Sequence, residues 1–147
     1  MNKTVLTALT EEELDVLVSI AISRAEVLDD SDSPAAIEAW REVMVYEERL
    51  AKLTSAAGVS GGVARVGAVT SALAAGERSK AAELAEQYLA EKSLPRERRQ
   101  AIKRALDEYK ANLARRFPAL SKKGRIAELD KWRAKVREMP SVFPLAA

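Results

Sequence analysis

Neither cysteine nor histidine occurs anywhere in the 147 residues. The first absence excludes disulfides, thiolate nucleophiles and sulfur-ligated zinc or iron–sulfur sites. The second removes the usual general base at neutral pH and the usual metal ligand, and with them the Ser/His and Cys/His nucleophilic arrangements. Aromatic residues make up only 5% of the chain. No uninterrupted apolar run approaches the roughly 18 residues of a membrane span. The longest candidate, residues 66–75, is interrupted by Gly67, Thr70 and Ser71, so no membrane partner is expected. The first ten residues lack a long apolar core and are followed at once by Glu11, Glu12 and Glu13, so no secretory signal and a cytoplasmic location are expected. Sustained alternation of apolar and polar residues is missing too, so essentially no sheet is expected.

What remains is rich in helix formers. Alanine fills 27 positions, and 48% hydrophobic with 31% charged residues is the balance of a folded globular chain. The length is that of one domain, residues 1–147, and the fold class expected is all-α: a compact bundle of five or six helices. Thr10 and Glu13 have capping-box spacing, which starts a first helix at Glu11. Leu14, Leu17, Val18, Ala21, Ala25 and Leu28 trace one face of it, and Val16, Ile20, Ile22 and Val27 widen that face so far that burial on two sides is expected. Ser33 and Pro34 form a cap and first-turn pair for a second helix over 34–57. Its expected core positions are Ile37, Trp40, Val43, Met44, Leu50 and Leu53, with Gly58 as the left-handed stop.

Gly58, Gly61, Gly62 and Gly67 then crowd into ten residues, which reads as the main loop. A short helix of small residues over 64–75, closed by Gly76, and another capped by Ser79 make a small-residue αα hairpin in the middle of the chain. Ala81, Leu84, Ala85, Tyr88 and Leu89 are its inward positions. The turn Gly76-Glu77-Arg78-Ser79-Lys80-Ala81 resembles the junction inside a tetratricopeptide hairpin, through the spacing of Gly76 and Ala81. Ala85 stands where that family has a large aromatic, and no second copy follows at a period of roughly 34 residues, so the turn reads as generic hairpin chemistry. Beyond Leu94-Pro95, Ile102, Leu106, Tyr109, Leu113 and Phe117 form the cleanest apolar stripe in the sequence. A last helix over 125–138 places Ile126, Leu129, Trp132 and Val136 together, with Trp132 read as core. Val142, Phe143 and Leu145 are expected to pack, and the final Leu145-Ala146-Ala147 resembles the terminal signal that bacterial unfoldase proteases grip.

Charge divides the chain. Residues 1–76 carry 6 Lys and Arg against 12 Asp and Glu, whereas residues 77–147 carry 18 against 10. An acidic half precedes a basic half. The candidate contact residues are Arg98, Arg99, Lys103, Arg104, Lys110, Arg115, Arg116, Lys122, Lys123, Arg125, Lys131 and Lys135. They ring their helices without forming one reading face, and three of them extend into a loop where cations track phosphates readily.

Other constellations fail on spacing. Asp29, Asp30 and Asp32 lack the glycine and glutamate of a calcium loop, because Ala35 and Arg41 stand at those places. Gly62 and Gly67 lack the Lys-Ser/Thr pair of a phosphate loop. These glycines and the small residues Ala64, Ala68, Ser71, Ala72 and Ala75 are expected to let a neighbouring helix approach closely. The pairs Glu38/Glu42 and Glu47/Glu48 read as solvated helix faces, and no cofactor is expected. The expectation is a non-enzymatic interaction or assembly protein, with a protein partner or further copies of itself. The alternative is a nucleic-acid-binding accessory protein that contacts phosphates through the basic half.

Overall fold

The computed structural model describes residues 2–116 and 122–138, with side chains for 2–115 and 129–138. The chain is all-α: α1 (Lys3–Ala8), α2 (Glu11–Asp30), α3 (Ala36–Leu53), α4 (Val59–Ala74), α5 (Arg78–Leu89), α6 (Arg96–Arg116) and α7 (Lys122–Glu138), with no strand among the described residues. It divides into two compact units, Met1–Asp107 and Glu108–Ala147. Phe117 and residues 139–147, including the terminal Leu-Ala-Ala, lie outside the described residues.

Helix α2 begins where its capping box requires. Thr10 Oγ1 accepts from the Glu13 amide and Glu13 Oε1 accepts from the Thr10 amide, each at 3.2 Å. Helix α1 was not expected from sequence; Asn2 Oδ1 caps it by accepting from the Val5 amide at 2.9 Å. In the first unit α3 packs on both α2 and α4, and α4 packs on α5. Leu14, Val43, Val69, Leu84 and Ile102 are its largest fully enclosed side chains.

The glycine-rich stretch is helical, which corrects the loop expectation. Gly61, Gly62 and Gly67 all lie inside α4 because neighbours occupy the space a side chain would need. A Cβ on Gly61 would lie 1.7 Å from the Ser55 carbonyl oxygen, one on Gly62 2.9 Å from Arg98 Cγ, and one on Gly67 2.4 Å from Glu47 Oε1. Tertiary approach outweighs the roughly 1 kcal/mol each glycine costs a helix. Gly58 is the N-cap of α4 at φ −81°, not a left-handed stop, and α3 ends earlier, at Leu53. Gly76 does turn left-handed, at φ +74°, and closes α4. Glu77, not Ser79, precedes α5, and Ser33 caps only the turn before α3, accepting from the Ala35 amide at 3.2 Å.

Candidate interaction surfaces

Helix α2 has two aliphatic faces with different fates. Leu14, Val18, Ala21 and Ala25 are buried against the bundle, but Val16, Ile20 and Val27 are 60%, 61% and 67% exposed. Burial on the second side, expected from the breadth of the pattern, does not occur within the first unit. These three side chains fall within roughly 40° of one another around the helix, nearly opposite the buried face. Ser23 completes the line, its hydroxyl turned back to donate to the Ser19 carbonyl at 3.1 Å. Glu12, Glu13, Glu26 and Asp30 flank it, all exposed. The flanking cation Arg24 is already engaged by Glu42 at 3.3 Å.

The second unit carries a counterpart. On α7, Leu129, Trp132 and Val136 are 51%, 58% and 59% exposed, which corrects the reading of Trp132 as core. They share one side of the helix at steps of three and four. Arg133, Lys135 and Arg137 are exposed around them. Arg133 lies 3.9 Å from Asp130, too far for a good hydrogen bond.

The sequence-predicted cations have different surroundings. Arg99 is used to end α5: its guanidinium donates to the carbonyls of Leu89 at 2.6 Å and Leu94 at 2.9 Å, and to that of Glu91. Arg98 is half-buried, with its stem lying against Gly62. Lys103, Arg104, Lys110 and Arg115 are exposed on α6, and Lys131 and Lys135 on α7. Lys103 and Arg104 are successive, so they leave the helix about 100° apart. Arg116, Lys122, Lys123 and Arg125 have helical backbone, but their side chains lie outside the described ones.

Two buried ionisable groups escaped the sequence reading. Arg65 on α4, only 6% exposed, pairs with both carboxylate oxygens of Glu91 at 2.8 and 3.0 Å. It also donates to the carbonyls of Gly61 at 2.9 Å and Thr54 at 3.2 Å, and lies over the Tyr88 ring at 5.6 Å. Glu47 on α3 is equally enclosed at 3%, yet its Oε2 has no hydrogen-bond partner. Burial, with the nearby Asp15 carboxylate, pushes its carboxyl up to about 7. It is therefore not part of a solvated face. Glu48, by contrast, receives Lys80 at 3.1 Å.

An open cleft of about 320 Å³ is lined by Arg24, Glu38, Arg41, Glu42 and Tyr46. Its carboxylates are engaged: Glu38 by Arg41, and Glu42 by Arg24 and by the Tyr46 hydroxyl at 2.8 Å. Burial and the Glu42 bond push the Tyr46 phenol up to about 12, so it holds its proton at neutral pH. Among the described residues no group of three or more carboxylates could hold a metal ion, and no helix is long and apolar enough to cross a membrane. Compared with protein-family models, curated proteins and solved structures, the chain matches none.

Proposed function

We propose that this chain is a non-enzymatic interaction and assembly protein that associates with further copies of itself. The observation that carries this reading is the outer line of α2, where Val16, Ile20 and Val27 are each at least 60% exposed. Enclosing such a side chain is worth roughly 1.5–3 kcal/mol, so a line of three displayed on one helix face leaves stabilisation that only a second surface recovers. Scattered exposed aliphatics carry no such meaning; aligned ones do. The charge division gives the contact a direction, because the acidic first half and basic second half of neighbouring copies attract.

Light scattering across protein concentration and ionic strength tests the reading. Apparent mass rises with concentration and falls as salt screens the charges. A constant monomer mass at every concentration in low salt contradicts it.

A second reading rests on the exposed Lys103, Arg104, Lys110 and Arg115 of α6: the chain holds nucleic acid through phosphates, with little sequence preference. Co-purification with and without nuclease separates the two. A partner lost on nuclease treatment supports the second reading, and a protein partner that survives it supports the first.

A further inference from the structure

We propose that the self-association is built from two different patches: the α7 stripe of one copy seats on the outer α2 line of another. The inference rests on the assembly reading above and names its surfaces. Three properties match. Both patches are apolar and exposed, Leu129, Trp132 and Val136 on α7 against Val16, Ile20 and Val27 on α2. Their lengths are compatible, since the seven steps from Leu129 to Val136 rise about 10 Å and the eleven steps from Val16 to Val27 about 16 Å. The shorter stripe fits within the longer. Their rims are opposite in charge, with Arg133, Lys135 and Arg137 around the first and Glu12, Glu13, Glu26 and Asp30 around the second.

Charge also argues against like with like. Two α2 lines brought together would place glutamates and aspartates against one another, and two α7 stripes would do the same with arginines and lysines. Shape adds a seat for the largest side chain. Ser23 is small and its hydroxyl is tied to its own helix, so the Trp132 indole would seat over it, between Ile20 and Val27. A central aromatic anchor, rimmed by polar groups, is the usual energetic centre of an interface.

The test uses two full-length variants, Ile20→Arg and Trp132→Glu. Both positions are surface ones, so helical content and the unfolding midpoint should stay near wild type. Each variant alone should self-associate roughly tenfold or more weakly by sedimentation velocity. Mixed in equal amounts, they should form a one-to-one dimer, because the first keeps an intact α7 and the second an intact α2. Ile20→Ser and Trp132→Ser repeat the test without added charge should either first variant fail to fold.

Variants that associate like the wild type overturn the inference and leave the assembly reading in place. Loss in both variants without recovery on mixing also overturns it, since like-with-like contacts cannot be rescued in that way. A wild-type chain that never associates overturns both.

Discussion

Helices α2 and α4 put small and aliphatic residues to opposite uses. Helix α4 encloses Gly61, Gly62, Ala64 and Ala68, while α2 displays Val16, Ile20 and Val27. Side-chain hydrophobicity alone would have enclosed valine and isoleucine ahead of glycine. What decides burial in α4 is how closely neighbours come: the Ser55 carbonyl, the Arg98 stem and the Glu47 carboxylate fill the places where side chains would stand. What decides exposure in α2 is that its first unit has run out of elements to cover a second face. Enclosed glycine marks a contact already made inside the chain, and displayed isoleucine marks, on the assembly proposed above, one left for another molecule.

The comparison breaks most readily at Gly61. Gly61→Ala sets a methyl against a backbone carbonyl that cannot swing away, and should cost about 3 kcal/mol of stability by chemical denaturation. Gly58→Ala is the control, because its Cβ would meet only the Ser55 oxygen, at 3.5 Å. A loss at Gly61 no larger than at Gly58 would mean that close approach is not why α4 carries glycine.

The next test concerns the two charges enclosed beside α4. Arg65→Met strips four carbonyl and carboxylate bonds and should cost roughly 2–3 kcal/mol. The cost stays below that of a fully enclosed pair because the Glu91 side chain remains 32% exposed. Glu47→Gln should do the reverse. In the folded chain the Glu47 carboxyl is raised from 4.5 to about 7, so folding favours its protonated form. Below pH 4.5 both folded and unfolded chains hold the proton and the wild type bears no penalty. Stability then falls as pH rises, and above about 7 the penalty is complete, on the order of 3 kcal/mol. The variant should therefore gain stability over the wild type as pH rises from 4.5 to 7, and match it at pH 4 or below. A gain independent of pH would point to packing instead of ionisation.

The smallest expected stability effect belongs to the displayed face. Ile20→Ser should change monomer stability by less than about 0.5 kcal/mol, whereas the same change at buried Leu14 should cost several. A large loss at Ile20 would show that it supports the fold and is not held in reserve.

The start of α2 was legible in the sequence because Thr10 and Glu13 are a local signal, satisfied by two bonds within one turn. The inward positions Ala81, Leu84, Ala85 and Tyr88 of α5 were legible for a similar reason, as was Ile102 on α6. Periodicity failed where it had to say what lies on the other side. It marked Val16 and Ile20 as apolar without distinguishing the chain's own core from another molecule's surface, and it placed Trp132 inside on the same ground. Close approach of a neighbour at Gly62 and Gly67 was legible, but glycine read locally is a helix breaker, so it was not legible that α4 would run through these positions against Ser55, Glu47 and Arg98. Likewise, nothing in the run 47–49 separates buried Glu47 from the paired Glu48 beside it. The polarity of charge was legible as a sum, but not that Arg99 would be consumed in capping α5.

The displayed surfaces can be observed directly through one indole. The sequence has two tryptophans, and replacing Trp40, whose Nε1 donates to Asp29 at 2.8 Å, with Phe leaves Trp132 as the only one. If α7 seats on α2 of another copy, Trp132 emission moves to shorter wavelength as the protein is concentrated and returns toward the solvent-exposed value when salt is added or Ile20→Arg is introduced. Emission that stays at the solvent-exposed wavelength from dilute to concentrated protein would contradict the claim that these faces exist to be covered.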